Sequence, residues 1–331
     1  TVAGEARPGA IMSISVGVVG AGFMGETHVN SLRKIEDARV MYVCDIDAAK
    51  GRPLAESAGA GYIPDFSELL SKEVDIIDVC LPTPLHRPFA VKALEAGFHL
   101  FLEKPLAISL QEGEAIRKAA SKSSGLSMVG HVLRFWPGYA ELRERIAAGE
   151  IGPPRHILAY RVGPPPGWAA WYMDMKKSNG VIFDLGIHDI DYVRWLMGRP
   201  KAVYSQAHER EGVHLHGQVL LDYGEGEALC ECSWAGSATF PFTSYIEVAG
   251  PGGLAHVDGR ANNAFAIFHP DRTIRLDPYQ EDGYVKELRH FVECVRDGRK
   301  PMVPISEALE TIRLSLAAME SAKSGRRISL R

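Results

Sequence analysis

Three aspartates and a histidine interrupt an apolar stretch in the middle of the chain, GVIFDLGIHDID at 180–191. On one helix at about 100° per residue, Asp184, His188 and Asp191 fall at about 0°, 40° and 340° and share one stripe. Apart from Asp189, the rest of the cylinder is apolar. A carboxylate and an imidazole one turn apart, partly desolvated, make a pair that can transfer protons. An internal hydrogen-bond network would produce the same pattern, so the segment by itself leaves both interpretations open.

A lysine that follows an apolar run is a second candidate. The segment FHLFLEKPLA predicts a buried strand that ends at Glu103-Lys104-Pro105. Ligands bind at the carboxyl edge of open parallel sheets, so Glu103, Lys104 and Pro105 are expected beside the cofactor. Lys104 can there hydrogen-bond a hydroxyl and take part in proton transfer. Pro105 has no N–H and a fixed φ, so the chain turns sharply there. A surface lysine in an ordinary loop is the alternative.

The stretch VGAGFMG has the spacing of a dinucleotide-binding turn, with a β-rich run before it and a helical pattern after it. Gly20 permits the tight turn, Gly22 lets the backbone approach a pyrophosphate, and Gly25 lets the helix pack closely on the strand. The free N–H groups at the start of the helix face the phosphates, so Phe23 and Met24 are also expected in the cofactor site.

A carboxylate closes the second predicted strand. Asp45 lies 20 residues after Gly25, where it can accept hydrogen bonds from both hydroxyls of an adenosine ribose and would repel a 2′-phosphate. No arginine follows it directly to hold that phosphate, although Lys50 and Arg52 lie nearby. We therefore predict NAD in preference to NADP, with Asp45 and Ile46 in the binding site.

The segment CLPTPLH follows another predicted strand and so lies at the same edge of the sheet. We expect it along the cofactor, because ligands bind at that edge. A plain helix start is the alternative. The contact residues predicted in this segment are Leu81, Pro82, Thr83 and His86.

Further contacts are expected from the chain beyond residue 130. In GHVLRFWPG, Arg134 is predicted to contact the nicotinamide side of the cofactor or a substrate oxygen, near Trp136, with an interdomain ion pair as the alternative. Farther along, RVGPPPGWAAWYMD forms a proline-rich loop. Sugars stack on aromatic rings and long loops often form lids, so Trp168, Trp171 and Tyr172 are candidate substrate contacts. Packing within the loop or against another subunit is the alternative.

The sequence predicts no metal site. His214 and His216 form an i,i+2 pair, as do Cys230 and Cys232, and neither pair has the further ligands that zinc requires. Five cysteines without a framework spacing indicate reduced thiols, so we expect a cytoplasmic protein.

Single helical stretches separate the apolar runs of the first 130 residues, which predicts βαβ units and a parallel sheet. After about residue 150, successive strand-like runs predict a largely antiparallel sheet, closed by helices near 284–297 and 305–323. The predicted fold is an α/β Rossmann dinucleotide-binding domain (12–130) followed by an α+β domain with an open sheet (131–331). Residues 1–11 lack periodicity, and we expect a disordered leader there.

The composition argues against two classes of partner. Of the 331 residues, 46% are hydrophobic, and the formal net charge is −4, which provides no basic surface for nucleic acid or an anionic membrane. The sequence also has no run of about 18 apolar residues, so we expect no membrane span.

Together these motifs resemble the glucose–fructose oxidoreductase / inositol dehydrogenase (Gfo/Idh/MocA) family. The glycine turn, CLPTPLH, EKP and GVIFDLGIHDID stand in the family's order, and the likeness extends from about Ser13 to Leu330. It implies a Rossmann domain, an open-sheet domain that completes the active site, and NAD(P)-dependent oxidation or reduction of sugars, cyclitols or related polyols. Many members have three small residues, typically glycines, before the last of these motifs, whereas this chain has Ser178-Asn179-Gly180.

The resemblance assigns roles to particular residues. The family's lysine matches Lys104, and its aspartate and histidine four residues apart match Asp184 and His188. We predict that His188 accepts the hydroxyl proton as general base and that Lys104 stabilises the charge developing on that oxygen. Asp184 is expected to bind a neighbouring hydroxyl or to tune the other two. Lys104 is the alternative base.

Two alternatives to a dehydrogenase stay open. Some family members are glycosidases that oxidise their substrate transiently with bound NAD, and some relatives bind a dinucleotide as sensors without turnover. Intact Lys104, Asp184 and His188 argue against a sensor. In either case the family implies a homodimer or homotetramer that packs through its C-terminal sheets.

Overall fold

A six-stranded parallel sheet forms the first half of the molecule. The computed structural model describes residues 13–259, 264–276 and 281–330, so the predicted leader lies outside the described residues. The strands are β1 (Ile14–Val19), β2 (Ala38–Cys44), β3 (Gly61–Ile63), β4 (Ile76–Val79), β5 (His99–Glu103) and β6 (Ser127–Gly130). Their order is β3-β2-β1-β4-β5-β6, the order of a dinucleotide-binding sheet. This confirms the predicted α/β architecture.

Helices connect these strands, as βαβ units require. They are α1 (Phe23–Leu32), α2 (Ala48–Ala58), α3 (Phe66–Leu69), α4 (His86–Glu95) and α5 (Leu110–Ala120). Local chemistry explains where three of them begin, since the side chains of Asp47, Asp65 and Ser109 accept N–H groups of the first turns of α2, α3 and α5. Helix α1 has no such side-chain cap, because Gly22 precedes it.

Four helices in the middle of the chain lie around the first strand of the second sheet. They are α6 (Pro137–Ala147), α7 (Met175–Ser178), α8 (Gly180–Asp184) and α9 (Ile187–Met197), and short 3₁₀ turns occur at Thr83–Leu85, Val132–Arg134 and Ala170–Met173. Between α6 and α7 lies the first strand of the second sheet, so these helices flank that sheet and can carry residues toward the first one.

The second sheet is nine-stranded in the described part of the chain and mostly antiparallel. Its strands are β7 (His156–Val162), β8 (Ala202–Arg210), β9 (Val213–Asp222), β10 (Glu227–Ser233), β11 (Thr243–Gly250), β12 (Gly253–Asp258), β13 (Ala264–Phe268), β14 (Thr273–Leu276) and β15 (Ile328–Ser329). The order is β14-β13-β12-β11-β7-β10-β9-β8-β15, and only β7 and β10 pair in parallel. The predicted open antiparallel sheet is therefore confirmed.

Two helices at the end of the chain, α10 (Gly283–Asp297) and α11 (Ile305–Ser324), join the two halves. Val285 and Phe291 of α10 lie in the same buried core as the parallel sheet, and α11 contributes Ile312 to that core and Leu314 to the core of the second sheet. Packing thus ties the C-terminal helices to the N-terminal sheet, which positions residues of both halves around its edge.

The five cysteines are free and buried, in agreement with reduced thiols. None of the described helices combines the length and the apolar character that crossing a bilayer would take.

Candidate active site

The glycine turn presents an open cradle at the start of α1. Gly20 has a φ of 101°, and a Cβ on Gly25 would lie 1.8 Å from the Gly20 carbonyl oxygen, so both positions require glycine. A Cβ on Gly22 would meet nothing within 4 Å. The uncapped N–H groups of the first turn of α1 therefore face free space, and these residues fit a bound pyrophosphate.

A cavity of about 440 Å³ lies beside this turn, where an adenosine would extend from the pyrophosphate. Asp45 lies in its wall, and its two carboxylate oxygens accept the N–H groups of Ala21 (2.6 Å) and Asp47 (2.7 Å). Predicted residues in the lining are Asp45, Ile46 and Leu81, and residues that sequence reasoning missed are Asp65, Phe66, Leu85 and Lys92. Asp65 and Phe66 lie just after the end of β3. This strand has three residues, which is too short to recognise from the sequence.

Lys104 and Asp184 meet at the carboxyl end of β5. The Lys104 Nζ donates to the Asp184 carbonyl oxygen at 3.0 Å and lies 3.5 Å from its carboxylate Oδ1. Burial raises the pKa of Asp184 above its ordinary value, although the Lys104 charge opposes that shift. The structure thus brings together two of the three predicted catalytic residues from opposite halves of the chain.

His188 is the third member. Its Nδ1 is buried and has no hydrogen-bond partner among the described residues. Burial, followed by the charges of Lys104, Arg161 and His131, holds the pKa of His188 well below its usual value. Lys104 is therefore close enough to act on it electrostatically, and His188 is neutral, with a ring nitrogen free to accept a proton.

The predicted single helix is interrupted. Helix α8 ends at Asp184 and α9 begins at Ile187, although Leu185 and Gly186 keep right-handed helical dihedrals. A Cβ on Gly186 would lie 2.7 Å from the Ile182 carbonyl oxygen, which explains why glycine stands at this point. The predicted polar stripe is divided by its partners, because Asp184 contacts Lys104 and Asp191 contacts Arg134.

Asp191 forms an ion pair with Arg134 instead of joining the catalytic group. Arg134 Nε and Nη2 donate to the Asp191 carboxylate at 2.7 and 2.8 Å, and the Thr311 hydroxyl donates to it at 2.8 Å. Both charged side chains are buried. The prediction that Arg134 contacts nicotinamide or substrate is therefore corrected, because the guanidinium pairs with Asp191. The alternative was an ion pair between domains, but both residues lie within the predicted second domain.

Asp189 also fails to face water. It accepts two hydrogen bonds from the buried Arg161 guanidinium, at 2.9 Å each, so the residue that broke the apolar pattern pairs with a strand of the second sheet. The sequence carried no signal for this partner, which lies 28 residues earlier in the chain.

Two predicted cofactor contacts turn toward the protein. Glu103 is buried and points inward, where its Oε1 lies 3.1 Å from His28 Nε2 and its Oε2 accepts the Lys104 N–H at 3.0 Å. The ring nitrogens of the buried His86 each lie 2.8 Å from a backbone carbonyl oxygen, of Pro105 and Leu81. His86 thus holds together the two loops that end β4 and β5.

Leu81, Pro82 and Thr83 are the other predicted cofactor contacts in the loop after β4. Leu81 lines the cavity beside the turn, while Pro82 precedes the 3₁₀ turn in which Thr83 is buried. The Lys104–Pro105 peptide is cis.

The proline-rich loop of the second half reaches the glycine turn. Trp168 stacks on Phe23 with ring centroids 4.9 Å apart, although both rings remain more than half exposed. Trp171 stacks on Tyr172 at 4.0 Å, and burial followed by the Asp184 charge raises the pKa of Tyr172. Tyr172 therefore adjoins the catalytic candidates, whereas Trp168 adjoins the cofactor cradle.

Trp136 packs away from this group. A Cβ on Gly283, the first residue of α10, would come within 1.9 Å of the Trp136 ring, so this indole is held against the C-terminal helix. It also contacts Tyr139 edge to face. The structure gives Trp136 a packing role in place of the predicted substrate contact.

The segment Ser178-Asn179-Gly180 takes the backbone shape that glycines would permit. Asn179 has a φ of 58° and Gly180 a φ of 74°, both in the left-handed region. The Asn179 side chain donates to the Ile108 carbonyl oxygen at 2.9 Å. The chain therefore keeps this backbone turn although two of its three residues are not glycine.

Comparison with known proteins matches both halves of the chain to one family. Residues 14–131 match the Gfo/Idh/MocA oxidoreductase family with its NAD-binding Rossmann fold, and residues 139–256 match the Gfo/Idh/MocA C-terminal domain. Scyllo-inositol 2-dehydrogenase (NAD(+)) of Bacillus subtilis is 30% identical, with 95% of each chain covered. Myo-inositol 2-dehydrogenase of Thermotoga maritima is 26% identical, over 95% of this chain and 98% of the relative.

Solved structures agree with this assignment. GenD2 from gentamicin A biosynthesis, in complex with NAD, has a TM-score of 0.86 at 26% identity and covers 99% of this chain and 100% of its own. An oxidoreductase from Agrobacterium radiobacter, with NAD+, L-tartaric acid and magnesium, has the same fold at a TM-score of 0.84 and 18% identity, over 96% of this chain and 98% of its own. The glycine cradle, the strand order and the two family matches lead to one conclusion: the chain belongs to the Gfo/Idh/MocA family of NAD-binding oxidoreductases.

Proposed function

We propose that the protein is an NAD-dependent dehydrogenase that oxidises a hydroxyl-bearing carbon of an inositol-like cyclitol, or of a related sugar or polyol. The observation that carries this proposal is the contact of Lys104 with Asp184, together with a neutral His188 in the field of Lys104, at the sheet edge that bears the glycine cradle. The names of two relatives, both inositol dehydrogenases, support the substrate class.

His188 serves as the general base in this proposal. The residue is partly exposed, and its lowered pKa keeps the ring neutral, so a substrate hydroxyl can donate its proton to the ring. The cost of the low pKa is a weaker base, which requires that the developing charge on the oxygen be stabilised by a neighbour.

Lys104 supplies that stabilisation. Its ammonium group is held by the Asp184 carbonyl and carboxylate and can share a donor with a substrate oxygen. Asp184 has a further carboxylate oxygen for a neighbouring hydroxyl. The chemistry that NAD supplies when bound is hydride acceptance, and the protein's part is placement and proton handling.

The surroundings of Asp45 favour NAD over NADP. Two backbone N–H groups hold its carboxylate in the wall of the cavity, where it would repel a 2′-phosphate. Lys50 Nζ lies 3.5 Å from Asp47 Oδ2, and the Arg52 guanidinium lies over the Tyr62 ring at 4.9 Å, so these two cations have partners. Lys92 is a further cation in the lining of the same cavity.

A homodimer or homotetramer through the second sheet belongs to the same proposal. Strands β7 and β9 alternate between buried and exposed residues, and the outward positions include Leu158, 40% exposed, and Leu220, 38% exposed. Apolar side chains on an open sheet face favour a second copy as the cover. Light scattering should give a mass of two or four chains, and a monomer at micromolar concentration would contradict this.

The test is reduction of NAD+ or NADP+, followed by the near-ultraviolet absorbance of the reduced nicotinamide, with inositols, aldoses, sugar acids and anhydrosugars. We expect turnover with NAD+ and a cyclitol or sugar. Lys104→Met and His188→Asn should each lower kcat by about 10²- to 10⁴-fold, because each removes proton handling or charge stabilisation. Matched controls are Lys118→Met, an exposed residue of α5, and His156→Asn, an exposed residue of β7.

Three outcomes would contradict the proposal. Near-normal turnover in both Lys104→Met and His188→Asn would remove the catalytic assignment. Bound NAD with cleavage of aryl glycosides and no net reduction would indicate a glycosidase. NAD binding without any turnover across the panel would indicate a sensor.

A further inference from the structure

A histidine in the core of the first half lies between two carboxylates. His28, on α1, is fully buried; its Nδ1 is 2.9 Å from Asp78 Oδ2 and its Nε2 is 3.1 Å from Glu103 Oε1. Asp78 lies on β4 and Glu103 is the last residue of β5, so the ring bridges two neighbouring strands of the sheet. None of these contacts belongs to the catalytic group described above.

The geometry requires a doubly protonated ring. Carboxylates accept hydrogen bonds and do not donate them, and a neutral imidazole has a single N–H, so only an imidazolium satisfies both neighbours. Burial alone would lower the pKa of His28, but Asp78 and then Cys80 outweigh it, and the pKa is raised well above its usual value. Cys80 Sγ lies 3.1 Å from Nδ1.

The other ionisable groups around the cluster come from α10. Both carboxyl oxygens of Glu287 are buried without a hydrogen-bond partner among the described residues, and burial followed by the Glu103 charge raises its pKa well above the usual value. Burial followed by the Glu103 and Glu287 charges also raises the pKa of Tyr284. Both groups are therefore neutral, and the charge of His28 is balanced by the Asp78 and Glu103 carboxylates that it contacts.

Glu103 connects His28 to the catalytic lysine. Its second oxygen, Oε2, accepts the N–H of Lys104 at 3.0 Å, and the Lys104 Nζ in turn donates to the Asp184 carbonyl at 3.0 Å. Gly130 on β6 makes room for the carboxylate, because a Cβ there would come within 2.9 Å of Glu103 Oε1. A continuous series of contacts thus runs from the helix of the pyrophosphate cradle to Lys104.

We propose that His28, as an imidazolium shared by Asp78 and Glu103, is a positioning residue for Lys104: it fixes the Glu103 carboxylate in the orientation that accepts the Lys104 N–H and so aligns the lysine with Asp184. This inference rests on the proposed function, because it takes Lys104 to be catalytic. It adds a cluster that touches neither substrate nor cofactor but sets the geometry of a group that does.

The sharpest variant removes both acceptor oxygens of Glu103. We therefore use Glu103→Leu in place of a glutamine, because the amide of glutamine could keep both contacts by donating to a neutral His28. The carboxylate uses both oxygens as acceptors, one for His28 and one for Lys104, and a leucine of similar size accepts neither hydrogen bond. Asp78→Asn weakens the other side of His28 and serves if the first variant does not fold. The matched control is Asp75→Asn, just before β4, whose carboxylate accepts the Ser15 N–H at the opposite end of the sheet.

A double-mutant cycle separates positioning from general stability. Glu103→Leu should lower kcat by about 10- to 100-fold with KM changed much less, because small displacements of catalytic groups are costly. In a Lys104→Met background the same change should lower the residual kcat by less than about twofold, since its target is gone. Equal factors in both backgrounds would overturn the inference. Full turnover in Lys104→Met alone would instead overturn the proposed function.

Two measurements need no substrate. Hydrogen exchange at the Lys104 amide should be about tenfold faster in Glu103→Leu than in the wild type or Asp75→Asn, because a protecting hydrogen bond is lost. Unchanged exchange would overturn the inference. So would a stoichiometric metal ion that Asp78→Asn removes, since the His28, Asp78 and Cys80 donor atoms lie within 4.8 Å of one another and a metal would replace the shared proton.

Discussion

At the scale of single residues, burial decides which groups can exchange protons. His131 follows β6, and neither of its buried ring nitrogens has a hydrogen-bond partner among the described residues, although Nδ1 lies 3.7 Å from Asp191 Oδ2. Burial lowers the pKa of His131 to about 4, the pKa of His188 is lowered in the same direction, and burial raises the pKa of Asp184. Two histidines that titrate near neutrality in water are therefore neutral in the protein at that pH.

The pH dependence of catalysis follows from the lowered pKa of His188. A base is active in its neutral form, so kcat/KM should fall only as the pH drops through that lowered pKa, well below 6.5. After burial, the Lys104 charge is the largest cause of the shift, so Lys104→Met should move the acid limb to higher pH. The measurement is the pH profile of kcat/KM, with an NMR titration of the His188 ring as a readout without turnover.

The control for this shift is Lys118→Met, which removes an exposed charge from α5. Its acid limb should coincide with that of the wild type. A wild-type limb at or above 6.5, or no movement in Lys104→Met, would contradict the assignment of the limb to His188 in the field of Lys104.

At the scale of elements, short stretches of unusual backbone connect the two halves. Asn179 adopts a left-handed conformation between α7 and α8 and bonds the Ile108 carbonyl across to the first half. Asparagine tolerates this conformation better than other non-glycine residues, because its short polar side chain can bond locally. This turn precedes α8, which ends at Asp184, so its backbone shape affects the position of Asp184 relative to Lys104.

Substitution at Asn179 should separate the backbone from the side-chain contribution. Asn179→Ala should lower the free energy of unfolding by about 1–2 kcal/mol, because it strains the left-handed backbone and removes a hydrogen bond. Asn179→Gly should recover the backbone part and lose only the hydrogen bond. Urea unfolding measures both. Equal losses in the two variants would show that backbone strain contributes nothing.

The loop that carries Trp168 lies on the first residue of α1, so it should retain a bound dinucleotide. Trp168→Ala removes the stacking on Phe23 and should weaken NAD binding by about 2- to 10-fold, the range expected for an aromatic pair. Titration of intrinsic fluorescence measures the Kd. Phe240→Ala, an exposed aromatic before β11, is the control, and an unchanged Kd in Trp168→Ala would argue that the loop does not act on the cofactor.

At the scale of the whole molecule, a buried ion pair joins three distant parts of the chain. Arg134 follows β6, Asp191 lies on α9 and Thr311 lies on α11, and all three side chains meet in one network. Burial alone would raise the pKa of Asp191, but His131 and Arg134 outweigh it and hold that pKa below its usual value. The stability that this carboxylate contributes is present above its unfolded pKa and is lost only as the pH falls through the lower folded value.

Breaking this pair should unfold the protein more readily without changing the chemistry. Arg134→Ala should lower the free energy of unfolding by about 3–5 kcal/mol, because it leaves a buried carboxylate without its partner. Arg117→Ala, which removes an exposed pair with Glu114, should cost less than about 1 kcal/mol. Chemical unfolding measures both. A large rise in KM with unchanged stability in Arg134→Ala would restore the direct substrate role.

The sequence by itself determined the local pattern of this protein. Apolar runs, turn residues and the glycine spacing predicted the strands of both sheets, the cofactor turn and the placement of Lys104 after β5, because these features depend on neighbours in the chain. Four strands were not predicted, namely β3, β13, β14 and β15. Of these, β3, β14 and β15 lack the continuous apolar run from which the similarly short β4, β5 and β6 were predicted.

Only the tertiary structure decided which way the polar side chains turn. Asp191 pairs with Arg134, 57 residues away, and Glu103 points inward to His28, 75 residues away. A helical wheel cannot contain these partners, because they lie on other elements of the fold. The physical reason is that a buried charge must be paired, and its partner is supplied by whichever element packs against it.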